Sequence, residues 1–318
     1  MAADPCSPAS LFADLIGQPL AVDLLEAALR TQRLAPAYLF AGPDGVGRRL
    51  AARRFLEGLL SGGAVSERQR RRLEAGNHPD LLWVEPTFQH QGRLLTRAEA
   101  DEAGISRRTP PQLRLEQIRA VSRFLGRQPV EATRGMVVIE AAEAMPEAAA
   151  NALLKTLEEP GQGMLILLTA APEQLLSTIR SRCQLIRFLR LDAAALQTVL
   201  RQCDATADDS KELLAMASGS PGALISHRQQ LQELPSELLE RLAVRPASAK
   251  EALALARDLT DALDGEQQLW LLNWWQHKLW SAGEAAASLR RLETLRRHLL
   301  GFVQPRLAWE VALLELVA

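Results

Sequence analysis

The chain has 318 residues, enough for more than one domain of ordinary size. Its hydrophobic fraction of 47% suits a globular protein with real cores, and its formal net charge of −1 supplies no global basic field for nucleic acid. Cys6, Cys183 and Cys203 form neither a CxxC pair nor a disulfide framework, no apolar run is long enough to span a membrane, and no secretory signal opens the sequence; the expectation is a soluble cytoplasmic protein.

The first part of the chain predicts alternating strands and helices. The run 37–41 reads as a short buried strand that feeds Gly42-Pro43-Asp44-Gly45-Val46-Gly47-Arg48-Arg49. That segment matches the phosphate-loop frame G-x-x-x-x-G-K-[ST] at both terminal glycines, Gly42 and Gly47, and adds Gly45 between them. It departs at the last two positions. Arg48 replaces the lysine that reaches the β- and γ-phosphates, and its forked guanidinium is not a neutral swap for an ammonium. Arg49 replaces the hydroxyl that holds Mg²⁺ and has no acceptor atom with which to bind a metal. A helix follows, with Leu50, Ala51, Phe55 and Leu59 at helical spacing.

Arg68, Arg70, Arg71 and Arg72 lie in a short charged run that reads as a solvated helix face. The interval 61–76 holds no cysteine. A strand is expected at 81–84, a polar surface insertion at 90–108, a helix at 113–125 and a strand at 136–139. Glu140-Ala141 then stands where a nucleotide hydrolase places Asp-Glu. The metal carboxylate is lengthened to Glu140, and Ala141 cannot accept a proton from water. A helix at 147–157 stops before Pro160. Strands follow at 165–168, ahead of Thr169 in a sensor-like position, and at 184–188.

After about residue 191 no strand is expected. Gly219-Ser220-Pro221-Gly222 and Leu234-Pro235-Ser236 divide the remainder into two helical blocks. The expected organisation is an α/β domain over 1–188, a small helical domain over 189–230 and a helical domain over 231–318. Trp270, Trp274, Trp275 and Trp280 are expected in the core of the last, with a subunit contact as the alternative.

Three pieces combine into a specific resemblance: Ile16-Gly17-Gln18, Asn151-Ala152-Leu153-Leu154-Lys155-Thr156-Leu157-Glu158-Glu159-Pro160, and Ser181-Arg182-Cys183. Together they resemble clamp-loader subunits of the AAA+ class, and Asn77-His78-Pro79-Asp80 resembles the bacterial members. The damaged loop narrows the resemblance to a non-hydrolysing subunit of the DNA polymerase III clamp loader. The resemblance covers almost the whole chain, including Gln304-Pro305-Arg306-Leu307-Ala308. It implies an AAA+ parallel-sheet P-loop domain, a helical lid and an all-helical C-terminal collar for oligomerisation.

It further implies that Arg182 is an arginine finger, acting in trans on the ATP of a neighbouring subunit. Taken alone, without the rest of the pattern, Arg182 reads as one half of a local ion pair with a carboxylate rather than as a finger. Cys183 reads as a small buried residue and not a nucleophile. Active relatives carry a phosphate-sensing lid arginine, whereas this chain has Gly222 and Ala223 after the Gly-Ser-Pro and its nearest lid arginine is Arg228. Many relatives also carry a four-cysteine zinc module, absent here, so no zinc is expected; His78 is expected to pack or hydrogen-bond.

The implied partners are ATP-hydrolysing clamp-loader subunits, a clamp-gripping subunit, the sliding clamp and primer–template DNA held by the assembly. That assembly serves DNA-directed DNA polymerase activity in DNA replication. No productively bound cofactor is expected, with weak ADP or ATP binding left open. The alternatives are an active AAA+ motor subunit and a nucleotide-binding but non-hydrolysing module.

Overall fold

The computed structural model describes residues 11–104, 110–159, 161–203, 210–244, 246–283, 286–301 and 303–317. Cys6, Pro160 and the end of the 90–108 insertion lie outside them. In chain order the elements begin with α1 (Pro19–Thr31), β1 (Ala37–Ala41), α2 (Arg48–Leu60) and α3 (Glu67–Glu74). Next come β2 (Leu81–Val84), β3 (Phe88–His90), β4 (Arg93–Leu95), α4 (Arg97–Glu102), α5 (Leu115–Leu125) and β5 (Met136–Ile139). The α/β part closes with α6 (Glu147–Glu158), β6 (Met164–Thr169), α7 (Ser177–Arg180) and β7 (Gln184–Arg187). Only helices follow among the described residues: α8 (Ala193–Cys203), α9 (Lys211–Ala217), α10 (Pro221–Glu233), α11 (Ser236–Val244), α12 (Ala249–Ala262), α13 (Gly265–Ser281), α14 (Ala286–Leu300) and α15 (Pro305–Val317).

Two compact units result. The first gathers the described residues within Met1–Ala103, Pro111–Ala207 and Gly219–Gly222. The second gathers those within Gly104–Pro110, Asp208–Ser218 and Ala223–Ala318.

In the first unit a five-stranded parallel sheet runs β2-β5-β6-β1-β7. The three central strands β5, β6 and β1 are buried at every position because both faces are covered, whereas the edge strand β7 exposes Gln184, Leu185 and Arg187. On β1, Tyr38 and Phe40 point to one face, where Tyr38 meets Phe55 of α2 edge-on and Phe40 meets Phe188. Leu39 points to the other face, into a core with Val137, Ile139, Leu165, Leu167, Ile118 and Val121 of α5, and Leu153 and Leu157 of α6. All connections run between parallel strands, so every strand's C-terminal end lies along one edge of the sheet.

The sequence expectation of an undifferentiated insertion is refined. Phe88–His90 and Arg93–Leu95 pair antiparallel, and their turn closes through Gln91 and Gly92, both with positive φ. The basic run of α3 also needs correction. Arg70 donates to the fully buried Glu57 at 3.0 Å and Arg72 to Glu131 at 2.6 Å, so two of its four arginines bind within the fold. Amphipathic spacing could not show this, because Glu57 comes from α2 and Glu131 from the loop that leads into β5.

The second unit is a helical assembly around Trp275 and Trp309, whose rings stack 6.4 Å apart. Buried Gln268 serves both sides of this core: its Oε1 accepts the Trp309 Nε1–H at 3.0 Å and its Nε2 donates to Leu263 O at 2.8 Å. A buried amide without such partners would be destabilising by roughly 1–3 kcal/mol. Trp270 and Trp274 are buried as expected. Trp280 is not: it is 69% exposed, because it lies one residue from the end of α13, where the helix runs out of packing partners.

Candidate functional site

The loop after β1 sits at the C-terminal edge of the sheet. There it meets the residues that follow β2, β5, β6 and β7. Gly45 and Gly47 have φ of +74° and +105°, and Gly47 opens α2. The backbone of a phosphate loop is therefore intact, and the side chains decide what it does.

Arg48 is buried and forms an ion pair with Asp44 of the same loop. Arg49 turns across the sheet edge. Its Nη2 donates to Glu85 at 2.7 Å, just past β2, and its Nε lies 2.9 Å from Glu140 Oε1, just past β5. Trp83 Nε1–H also donates to that oxygen, at 2.6 Å. The guanidinium groups of Arg49 and Arg53 each lie 5.5 Å from the Trp83 ring centre. Burial raises the Glu140 pKa and the nearby Arg49 charge opposes that rise.

This arrangement does not fit a Mg²⁺–nucleotide. The residue in the hydroxyl position is itself a cation, and it already occupies the carboxylate that would hold the metal. Ala141 presents only a methyl group at the position of the general base, with φ of +44°. A depression of about 480 Å³ remains, lined by Asp44, Gly47, Arg48, Arg49, Glu140 and Ala141 among others. Thr169 does not line it. It is fully buried at the end of β6, its hydroxyl accepts the Ala171 N–H at 3.2 Å and its carbonyl accepts the Gly42 N–H at 3.1 Å. Glu143 Oε1 accepts the Ala170 N–H at 3.0 Å and helps fix the same corner.

The Gly-Ser-Pro-Gly segment lies directly on the loop. Ser220 Oγ donates to Asp44 O at 2.5 Å, and Gly222 N–H donates to Gly45 O at 3.0 Å. A Cβ at position 222 would stand 2.6 Å from Gly45 Cα, so the backbones approach too closely for any side chain. Gln18 closes the remaining side. Its Nε2 donates to Leu189 O at 2.7 Å and Val46 O at 3.2 Å, while its Oε1 accepts the Leu189 N–H at 2.9 Å. The Ile-Gly-Gln segment thus ties the loop to the end of β7, a contact that spans 171 positions in sequence.

Ser181, Arg182 and Cys183 lie elsewhere. They precede β7 and so occupy the N-terminal edge of the sheet, the edge opposite the loop. Strands of four to six residues separate the two edges by roughly 13–20 Å at about 3.3 Å per residue. Arg182 Nη2 donates to Glu158 Oε1 at 2.8 Å, and its Nη1 donates to Thr178 O at 3.1 Å. Cys183 packs against the sheet core, and burial pushes its thiol up to about 12, which leaves it protonated and inert.

Asp80 organises the same N-terminal edge. Its carboxylate accepts three backbone N–H groups, from Val130, Glu131 and Ala132, each at 2.7 Å. Burial opposes its ionisation, but those N–H groups prevail and hold its pKa below the usual carboxylate value. His78 Nδ1 accepts the Asp80 N–H at 3.2 Å, the hydrogen-bonding part expected of it. Burial, then the Arg72 charge, lowers its pKa. Among the described residues no three His, Cys, Asp or Glu side chains form a group that could hold a metal ion. No helix among them is long and apolar enough to cross a membrane.

The sheet order, the loop after β1 and the helical region beyond residue 191 define an AAA+ fold. A gamma subunit-related protein of DNA polymerase III from Thermotoga maritima superposes with a TM-score of 0.53 at 18% identity, over 92% of this chain and 98% of its own. Residues 17–192 match the family described as DNA polymerase III, delta subunit, and residues 194–316 match the cyanobacterial DNA polymerase III delta prime C-terminal domain. The chain belongs to the DNA polymerase III delta subunit family. It is similar to DNA polymerase III subunit delta' of Bacillus subtilis, 31% identical over 70% of this chain, and to that of Pseudomonas aeruginosa, 36% identical over 65%. The matched regions span 63% and 60% of those two relatives.

The sequence motifs mark the loop, Glu140 and Arg182 as candidates. Arg53 lies one turn along α2 from Arg49, whereas Glu85 and Trp83, to which the sequence gives no site role, come together with Glu140 because β2 and β5 are parallel neighbours. Their one sequence signal is an acidic residue and an aromatic at the end of a strand next to the motif strand.

Proposed function

We propose that this chain is a delta prime-type, non-hydrolysing subunit of a bacterial DNA polymerase III clamp loader that completes a neighbour's ATP site with Arg182. The observation that carries the reading is the division between sheet edges. The chain's own loop is closed by internal ion pairs, while Arg182 stands at the far edge, beyond reach of that loop and exposed to an adjoining subunit.

The role follows from charge. As a phosphoryl group leaves ATP, negative charge spreads over its oxygens, and a planar, permanently charged donor stabilises it. Arg182 supplies that donor to the neighbour. In its own site, no water can be activated by Ala141 and the metal carboxylate is taken by Arg49, so the chain turns over no ATP. The remaining depression is consistent with weak, magnesium-independent binding of ADP or ATP through backbone N–H groups.

The partners in this reading are the ATP-hydrolysing subunits, the clamp-gripping subunit, the sliding clamp and primer–template DNA, in the cytoplasm. The helical C-terminal region serves as the collar that holds the subunits together. The test is steady-state ATP hydrolysis by the reconstituted, clamp- and DNA-stimulated complex with the unaltered chain or Arg182→Ala, beside the isolated chain. A silent isolated chain and a collapse at the site served by Arg182 support the reading. Hydrolysis by the isolated chain, unaffected by Arg182→Ala, overturns it.

A further inference from the structure

Arg182 is held at two points, and the second point is a residue with no assigned role. A guanidinium carries five N–H donors in a rigid plane. One goes to Thr178 O, in the turn that carries Arg182 itself. Another goes to Glu158, the last residue of α6, which arrives from a different part of the chain. Two acceptors on separate elements fix both the position and the rotation of the plane. Three N–H groups stay available, on Nε and on each terminal nitrogen.

Glu158 is an unfavourable choice for its own helix. The last turn of a helix carries partial negative charge, so a carboxylate there is disfavoured and a cation preferred. Glu159 adds a second carboxylate at the cap position. The ion pair also contributes little to folding, because Arg182 is 36% and Glu158 52% exposed. Neither the helix dipole nor the exposed ion pair's stability accounts for Glu158 at this end of α6, whereas the orientation of Arg182 does.

The geometry points to Glu158 as the positioning residue of the arginine finger. It presets the guanidinium so that its three remaining donors face outward before a neighbour's phosphate arrives. Ordering a long, flexible side chain in advance removes that entropy loss from the catalytic step. This inference rests on the finger reading of Arg182.

The test is ATP hydrolysis by the complete, DNA- and clamp-stimulated complex carrying Glu158→Ala, Glu158→Gln, Arg182→Ala or the double variant Glu158→Ala/Arg182→Ala. Glu158→Ala is expected to lower kcat at the affected site about 10-fold, with KM for ATP held within about twofold. Glu158→Gln keeps an acceptor at the same place and is expected to recover most of that rate. In the double variant Glu158→Ala should add nothing to the loss from Arg182→Ala. An unchanged or raised kcat in Glu158→Ala, with Arg182→Ala still deleterious, overturns the positioning role and leaves the finger standing. A loss in Glu158→Ala that Glu158→Gln fails to restore and that accompanies a lowered melting temperature also overturns it. No effect of Arg182→Ala overturns both.

Discussion

The two edges of one parallel sheet hold their polar side chains in different ways. At the C-terminal edge, the side chains in the positions that a nucleotide hydrolase offers to substrate are paired within the chain, Arg48 with Asp44 and Arg49 with Glu85 and Glu140, and the loop carbonyls of Asp44 and Gly45 accept from Ser220 and Gly222. At the N-terminal edge, Asp80 and Glu158 use internal contacts to fix their surroundings, and Arg182 keeps donors to spare. In the function proposed above, such a fold keeps its architecture, does without hydrolysis at one edge and acts through the other. The difference lies in whether polar side chains are consumed by the protein or presented by it.

The largest expected effect is at the presenting edge. Arg182→Ala should slow hydrolysis at the neighbouring site by about 10³-fold or more, since a finger supplied in trans is worth roughly 10³–10⁵ in rate in other nucleotide hydrolases. Single-turnover hydrolysis in the assembled complex reads this directly. The next effect belongs to the consumed edge. Gly222→Arg, which restores a lid cation, forces a Cβ against Gly45 Cα and should destabilise the fold by about 2–3 kcal/mol, visible as a lowered thermal midpoint. A stable Gly222→Arg chain would show that the lid packing is not what closes the loop.

Asp80→Asn should cost about 2 kcal/mol near neutral pH, because an amide N–H₂ would face backbone donors that now meet a carboxylate. The pH dependence has a definite sign. The folded pKa of Asp80 is depressed, so its stabilisation is fully present above the unfolded value of about 3.9 and is lost as pH falls through the folded value. Denaturant titrations of the two chains should converge below about pH 4 and run parallel above it.

The smallest expected effect is that of Arg49→Ala, about 1 kcal/mol, since Arg49 is half exposed and Trp83 still serves Glu140. Burial already raises the Glu140 pKa, and removal of the Arg49 charge should raise it further. The deficit is therefore absent below the unfolded pKa of about 4.3 and grows as pH rises through the folded value. A deficit that grew toward low pH would contradict the ion pair as the closure of the metal position.

Much of this was legible in the sequence, for identifiable reasons. The strands of the sheet are short apolar runs bounded by turns, and the loop and its two arginines are contiguous, so neither needed tertiary information. The resemblance placed Arg182, but only the strand order shows that it stands at the edge opposite the loop. Gln18 was visible as part of a motif, yet its work depends on residues 28 and 171 positions away. Glu158 shows no role in the sequence, because its partner lies 24 residues on and beyond an intervening strand. Trp280 is expected in the core from the usual burial of large aromatics, which cannot tell where a helix outruns its neighbours.

The contrast between the edges is tested most directly by ATP turnover of the complete clamp loader carrying either Arg48→Ala or Arg182→Ala in this chain, each checked for assembly and melting temperature. The account predicts that Arg48→Ala leaves turnover within about twofold of the unaltered complex while Arg182→Ala abolishes hydrolysis at the site it serves. Comparable losses from both variants, or a loss from Arg48→Ala alone, would contradict it.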